Sequence, residues 1–384
     1  MISKKKVLAL GIFISLTLSA CSSPKTEQAV ITIPTPEPIP ITDLYTPEPT
    51  IEPVATPEPT PEIITGPVTI GFVGDVYLSD TLQAKYSANN DMADILTNGL
   101  YDIFQNESIM VANHEYAATD LDDTNMDTRQ LYNFKAPKSR EILWTYMGVD
   151  VVSLANNHAL DFGRQSVVDS LDALDAVGIK HIGAGRNLSE AIEPVIYEIN
   201  GKKIALIASS RFLVDASWFA TEKQAGVLST YEGTPYFNMI KEKIASLKNN
   251  EGCDCVIAFV HFGEEKNNQV IDNQKVIAHA YADAGIDVVI GSHAHTLQGI
   301  EIYKDTPIYY NLGNFLFSQY GVDTMMVQVT LNEDNSIDTK IFPCTAAGYV
   351  AKLCEGDEKE RIIRYVESLS INASIDNDGN VSLR

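Results

Sequence analysis

Asp75, Glu115, Asn157-His158, His261 and the pair His293 and His295 each stand at or just past the end of a short apolar run. Carboxylate, amide and imidazole donors in this mixture suit Zn, Mn or Fe better than a calcium cage or a thiolate site. One or two such divalent ions, sharing a carboxylate, would lower the pKa of water to about 7. His293-Ala-His295 sets two imidazoles on one side of an extended segment, so that one can serve each ion. Five of the seven histidines fall at such run ends, His158, His261, His293, His295 and, less clearly, His181, with His114 and His279 outside the set. Histidines kept only for packing would not gather in this way.

These residues need a scaffold that brings distant run ends together. Strand-like runs are read at 68–73, 108–112, 149–154, 179–182, 203–208, 255–260 and 287–290, and helical spacing at 165–177 and 277–284. Alternation of this kind predicts an α/β fold. In open α/β sheets ligands bind beyond the carboxyl ends of the strands, where the polar residues sit here. From 307 onward the pattern turns strand-rich, at 308–310, 325–331 and 337–342. A helix at 358–369 and a frayed tail are expected to follow.

Read in order, Gly74-Asp75, Asn113-His-Glu115, Leu154-Ala-Asn-Asn-His-Ala-Leu-Asp-Phe-Gly163, Gly183-Ala-Gly185, His261-Phe-Gly-Glu-Glu265, Gly291-Ser-His-Ala-His295 and Tyr310-Asn-Leu-Gly-Asn-Phe315 form a set. It resembles the CapA family of poly-γ-glutamate capsule synthesis proteins, whose domain is similar to calcineurin-like metallophosphoesterases. The resemblance spans about residues 68 to 320. It implies a layered sandwich of mixed β-sheets flanked by helices. Asp75 would hold one metal, Glu115 would bridge, Asn157, His261 and His293 would hold a second, and His295 would return to the first. His158 would act as the acid, oriented by Asp161. The family pattern also implies polymer synthase subunits as partners and an anionic polymer or phosphoester as substrate. Metal-dependent hydrolysis and a non-catalytic binding module both stay open.

The wider pattern places a His where this chain has Tyr77, and an Asp where it has Glu115. The first metal site is therefore short of a ligand. Strand alternation turns His114 away from Asn113 and Glu115, so it is not expected to be a ligand. Asn113, Arg186, Glu264 and Asn314 are candidates for substrate contact.

The N-terminus reads as an address. Lys4 to Lys6 precede an uncharged, mostly apolar run at 7–18, which is too short to span a bilayer. Leu18-Ser-Ala-Cys21 matches the lipobox of bacterial lipoproteins. Residues 1–20 are thus expected to be a signal peptide, with Cys21 lipidated at the outer face of the cell membrane. Residues 21–66 carry 11 of the chain's 17 prolines and three copies of Thr-Pro-Glu-Pro. That composition favours an extended tether and builds no core. A CapA-like domain at 67–350 and a C-terminal helix and tail at 351–384 complete the expected layout. A net charge of −23 argues against nucleic acid as a partner. Cys253 and Cys255 are expected on one strand face, and Cys344 with Cys354 is an available disulfide pair.

Overall fold

The apolar run Val68–Val76 forms the spine of the first of two sheets. A computed structural model describes residues 65–384. The expectations for the signal peptide, Cys21 and the tether up to residue 64 lie outside the described residues. Val68–Val76 pairs in parallel with Ile109–His114, which is followed across the sheet by Val151–Ser153 and Lys180–Ile182. On its other side it pairs antiparallel with Val322–Leu331, and Ile337–Ala347 and Val350–Leu353 extend that edge. The second sheet runs Ile300–Tyr303, Thr306–Tyr309, Val288–His293, Cys255–Phe262, Lys202–Ser210, Val195–Ile199. Its four inner strands are parallel. Central strands buried on both faces need unbroken apolar runs, which is why 68–73 and 255–260 read so clearly in the sequence.

The two sheets stack face to face. Phe72 meets Phe259 edge-on at 6.1 Å between ring centroids. Ile70, Leu206, Ile257 and Ile290 fill the same core. Helices Pro235–Asn249 and Asp272–Ala284 cover the far side of the second sheet through Ile240, Ile244, Ile277 and Tyr281. Helix Arg164–Val177 packs Val167, Leu171 and Leu174 into the core of the first sheet and ends at Gly178 (φ +80°), a left-handed stop that glycine adopts without strain. The result is an α/β sandwich of two mixed sheets with helices outside.

Three expectations fail. The residues after the last helix, Gly356–Leu369, do not fray. Ala373–Ile375 and Asn380–Leu383 form a hairpin whose second strand pairs with Ile337–Ala347. Residue 350 is likewise no boundary, because Val350–Leu353 is a strand of the first sheet and the described residues 65–384 belong to one unit. Cys253 lies in the turn before its strand and packs under the outer helices, whereas Cys255 faces the core between the sheets. Alternation applies only within a strand, and Gly252 (φ +69°) turns the chain just ahead of Cys253. Cys344 and Cys354 are both buried and free.

The glycines of two motifs have a steric reason. Register shifts between Phe72 and Asp75, and the short strand Asn314–Leu316 closes against Asp75 and Val76. The Asp75 amide donates to the Gly313 carbonyl at 3.2 Å. A Cβ on Gly74 would overlap that carbonyl oxygen, and one on Gly291 would overlap the carbonyl of Tyr310. Backbone atoms cannot swing aside as a side chain can. Gly74→Ala is therefore expected to lower unfolding stability by about 1–3 kcal/mol or more. Urea denaturation measures this, and a change below about 0.5 kcal/mol, the level of an ordinary surface substitution, would refute the steric account.

Candidate metal centre

The carboxyl ends of parallel strands from both sheets meet at one place. The first sheet supplies Asp75 at the end of Val68–Val76, Asn113 at the end of Ile109–His114 with Glu115 just beyond, and Asn156 to His158 after Val151–Ser153. The second supplies His261 from Cys255–Phe262 and His293 from Val288–His293, in adjacent register. His295 follows in the next loop. His293 and His295 both have positive φ, +96° and +57°. A non-glycine residue held there costs free energy, and such strain collects at functional sites.

Two ligand sets result. Ligand atoms of Glu115, His261 and His293 lie within 4.8 Å of one another, and so do those of Asp75, Glu115 and His295. Glu115 is common to both, as expected of a bridging carboxylate. Its Oε1 lies 3.6 Å from His261 Nε2 and 3.9 Å from His295 Nε2. Asn157 joins the first set, its Oδ1 2.8 Å from His261 Nε2.

Three buried atoms in this cluster have no hydrogen-bond partner: Glu115 Oε1 and both ring nitrogens of His293. Leaving a buried polar atom unpaired costs about 1–3 kcal/mol, so three within one cluster call for a missing partner. Neither Asp75 nor Glu115 pairs with a Lys or Arg among the described residues, although both are fully buried. Two buried carboxyl groups beside imidazole nitrogens, with no described Lys or Arg to pair them, fit a divalent cation. The other ring nitrogen of His261 reaches Ser292 Oγ at 2.9 Å, and that of His295 reaches Asp75 Oδ2 at 2.9 Å and Asn314 Oδ1 at 2.8 Å. Such partners fix which nitrogen is left for a metal.

Electrostatics follow from burial and crowding. Burial, then the Asp75 charge, pushes the Glu115 carboxyl well above its ordinary value. Burial also acts to raise Asp75, but the hydrogen bond and charge of His295 outweigh it and hold Asp75 low. His293 is pushed down to about 3, first by burial and then by the His295 charge. His261 is driven well below its usual range, first by burial and then by His293. Both imidazoles are therefore neutral near pH 7, the form that ligates metal.

His158 stands beside the ligands with its Nδ1 2.8 Å from Asp161 Oδ2. Asp161 is fully buried and is fixed by the Phe134 amide at 2.6 Å and by the Gln130 side chain. The His158 amide donates to Asn156 Oδ1 at 3.0 Å. Aromatic rings wall the site. Phe317 stacks on His295, Phe212 on His293, and Phe134 meets His158 edge-on. The way in runs past His295, whose side chain is 14 % exposed while Asp75 and Glu115 are at 0 %.

The expected substrate contacts divide. Asn314 touches His295. Asn113 turns inward, its Nδ2 donating to Asp75 Oδ1 at 2.9 Å and Glu115 Oε2 at 3.1 Å, so it holds the carboxylates in place. Arg186 is not directed at the cluster; Asp172, Asp175 and Glu190 already engage its guanidinium. Glu264 is exposed and accepts from Asn267, while its neighbour Glu265 acts electrostatically on Glu115 and His295. His114 faces away and meets Glu141 at 2.9 Å. Tyr77 also turns away, into a cluster with Phe134, Phe317 and Tyr349, and donates to the Lys135 carbonyl at 2.9 Å. Asn156, Ser292 and Gln130 were not anticipated in these holding roles. Asn156, inside the Asn-Asn-His motif, and Ser292, inside Gly-Ser-His-Ala-His, carried a sequence signal, whereas Gln130 carried none.

The family model described as "Bacterial capsule synthesis protein PGA_cap" matches residues 69–319. The chain is 28% identical over 281 residues to the capsule biosynthesis protein CapA of Bacillus anthracis, covering 72% of this chain and 67% of that one. It is 28% identical over 280 residues to the PGA biosynthesis protein CapA of Bacillus subtilis, covering 72% and 71%. A probable polyglutamine synthesis accessory protein of Mycobacterium tuberculosis is 30% identical over 177 residues, covering 45% and 46%. The family match runs through every strand end that contributes to the cluster, from Asp75 to Asn314, and on this ground the chain belongs to the PGA_cap family of bacterial capsule synthesis proteins.

Proposed function

We propose that this protein takes part in the synthesis or export of poly-γ-glutamate, or a related anionic polymer, at the outer face of the cell membrane. In this reading lipid on Cys21 anchors it, the residues up to 66 tether it, and membrane-bound polymer synthase subunits are its partners. The observation that carries the proposal is a family match running through a buried cluster whose unpaired atoms suit divalent ions. No described helix is long and apolar enough to cross a membrane.

When bound, one or two Mn, Zn or Fe ions would supply Lewis acidity and positive charge for an anionic ligand. Asp75, Glu115 and His295 would hold one ion, and Glu115, Asn157, His261 and His293 the other. Without such charge the two carboxylates would repel a polyanion, so the same residues that take the ion also make the cleft receptive. Asn113 keeps the carboxylates aimed, Ser292 and Asn314 fix imidazole orientation, and the aromatic walls limit water. Deleting the gene is expected to abolish cell-associated γ-glutamyl polymer, with the intact gene restoring it. Unchanged polymer after deletion would sink the proposal.

The His158–Asp161 pair favours a second reading, a metal-dependent phosphoesterase acting outside the membrane on nucleotides or cell-wall phosphates. A buried carboxylate that orients an imidazole at the rim of a metal cluster suits protonation of a leaving oxygen.

A further inference from the structure

Next to the metal centre lies a second cavity of about 350 Å³, and His295 lines both. Its far wall carries Arg361 and Tyr365, which sit four residues apart on one face of the helix Gly356–Leu369. Both lie beyond the residues that the family model matches, 69–319. Asp323 grips the Arg361 guanidinium with two bonds of 2.6 and 2.7 Å, leaving the arginine side chain half exposed. A guanidinium has five N–H donors, so three remain for a ligand. The Tyr365 hydroxyl accepts from Asn268 Nδ2 at 2.9 Å and keeps its own proton to donate. Arg361 is the only Lys or Arg that lines this cavity among the described residues.

We infer that this cavity is a subsite for a carboxylate of a polyanionic chain whose neighbouring unit lies at the metal centre, with Arg361 as its anchor. The inference rests on the reading that the substrate is an anionic polymer, and it adds where the polymer lies. A small phosphoester would fill the metal centre alone. A chain carrying a carboxylate on each unit can meet the ion at one end of the groove and a preformed guanidinium fork at the other. Planar, charge-assisted pairing of this kind is what arginine offers a carboxylate. Asp323 has two effects: it orients the fork, and it offsets the Arg361 charge, so that an isolated anion gains little by binding there.

The test uses the full chain loaded with Mn, with a short γ-linked glutamate oligomer and free glutamate as probes in calorimetric titrations. Arg361→Gln is expected to weaken oligomer binding about tenfold or more, the effect of losing charge-assisted hydrogen bonds. Metal content, melting temperature and the response to free glutamate are expected to stay unchanged. Arg361→Lys, which keeps the charge and loses the fork, is expected to fall between. Equal oligomer affinity for wild type and Arg361→Gln overturns the subsite and leaves the polymer reading standing. A metal-loaded wild type that ignores the oligomer overturns both.

Discussion

Replacing Glu115 with Gln is expected to raise the melting temperature of the metal-free protein and to remove most of the stabilisation that metal provides. The two effects have opposite signs because one carboxylate does two jobs. In the metal-free protein Glu115 is buried beside Asp75, and its pKa is raised. A carboxyl raised on folding contributes stability that is fully present below the ordinary carboxylate range and is lost as pH rises through its elevated value. Above the ordinary carboxylate range the metal-free wild type therefore bears a penalty that Gln does not, and the gap widens with pH until the elevated value is passed and then stays constant. Gln can still accept the Asn113 bond on its carbonyl oxygen, so the fold keeps its local contact. With metal the order reverses, since the side chain common to both ligand sets is no longer anionic. A loss of affinity on the order of 100-fold would remove about 2.7 kcal/mol of metal-linked stability at concentrations that had saturated the wild type. Melting curves with and without Mn, at several pH values, read both signs. Identical metal shifts in the two proteins would remove Glu115 from the centre.

The second large effect concerns turnover. If the phosphoesterase reading holds, His158→Asn lowers the hydrolysis of an alkyl phosphodiester by about 10²–10⁴, the usual worth of a positioned general acid. Metal content is expected to be unchanged, because His158 is in neither ligand set. Asp161 keeps its bonds from Phe134 and Gln130, so the loop does not collapse. The loss is expected to shrink for a p-nitrophenyl ester, whose leaving group departs without a proton. An equal loss on both substrates would mean that His158 positions substrate and does not donate. A metal-loaded wild type that hydrolyses neither substrate removes the phosphoesterase reading and leaves the polymer reading in place.

The sequence made the ends of buried strands legible, because such strands write themselves as apolar runs and their last residues stand out as polar. That is why Asp75, Glu115, His261 and His293 could be named before any geometry was known. What stayed hidden depends on contacts between distant segments. No pattern near Asn113 tells that its amide bridges two carboxylates, one of them 38 positions away, and Arg186 is engaged by Asp172 and Asp175 of the preceding helix as well as by Glu190 four residues on. Tyr77 reads as a missing ligand. Its destination, an aromatic cluster built partly from Phe317 and Tyr349, is fixed by residues more than 200 positions away. The terminal hairpin was invisible for a related reason. Its strands, Ala373–Ile375 and Asn380–Leu383, are short, and one takes its order from an edge that only the folded sheet provides.

The hydrogen bond between Asp75 and His295 joins residues 220 positions apart and ties one sheet to the other. A nascent or truncated chain that stops before residue 293 lacks a member of each ligand set, His293 from one and His295 from the other. An ion held by these sets would therefore be captured late in the life of the molecule. Capture would act as a proofreading step, because only a chain whose two sheets have docked in register brings the ligands of either set together. Bound metal would then rivet that docking, and metal content would become an assay of conformational completion as well as of chemistry.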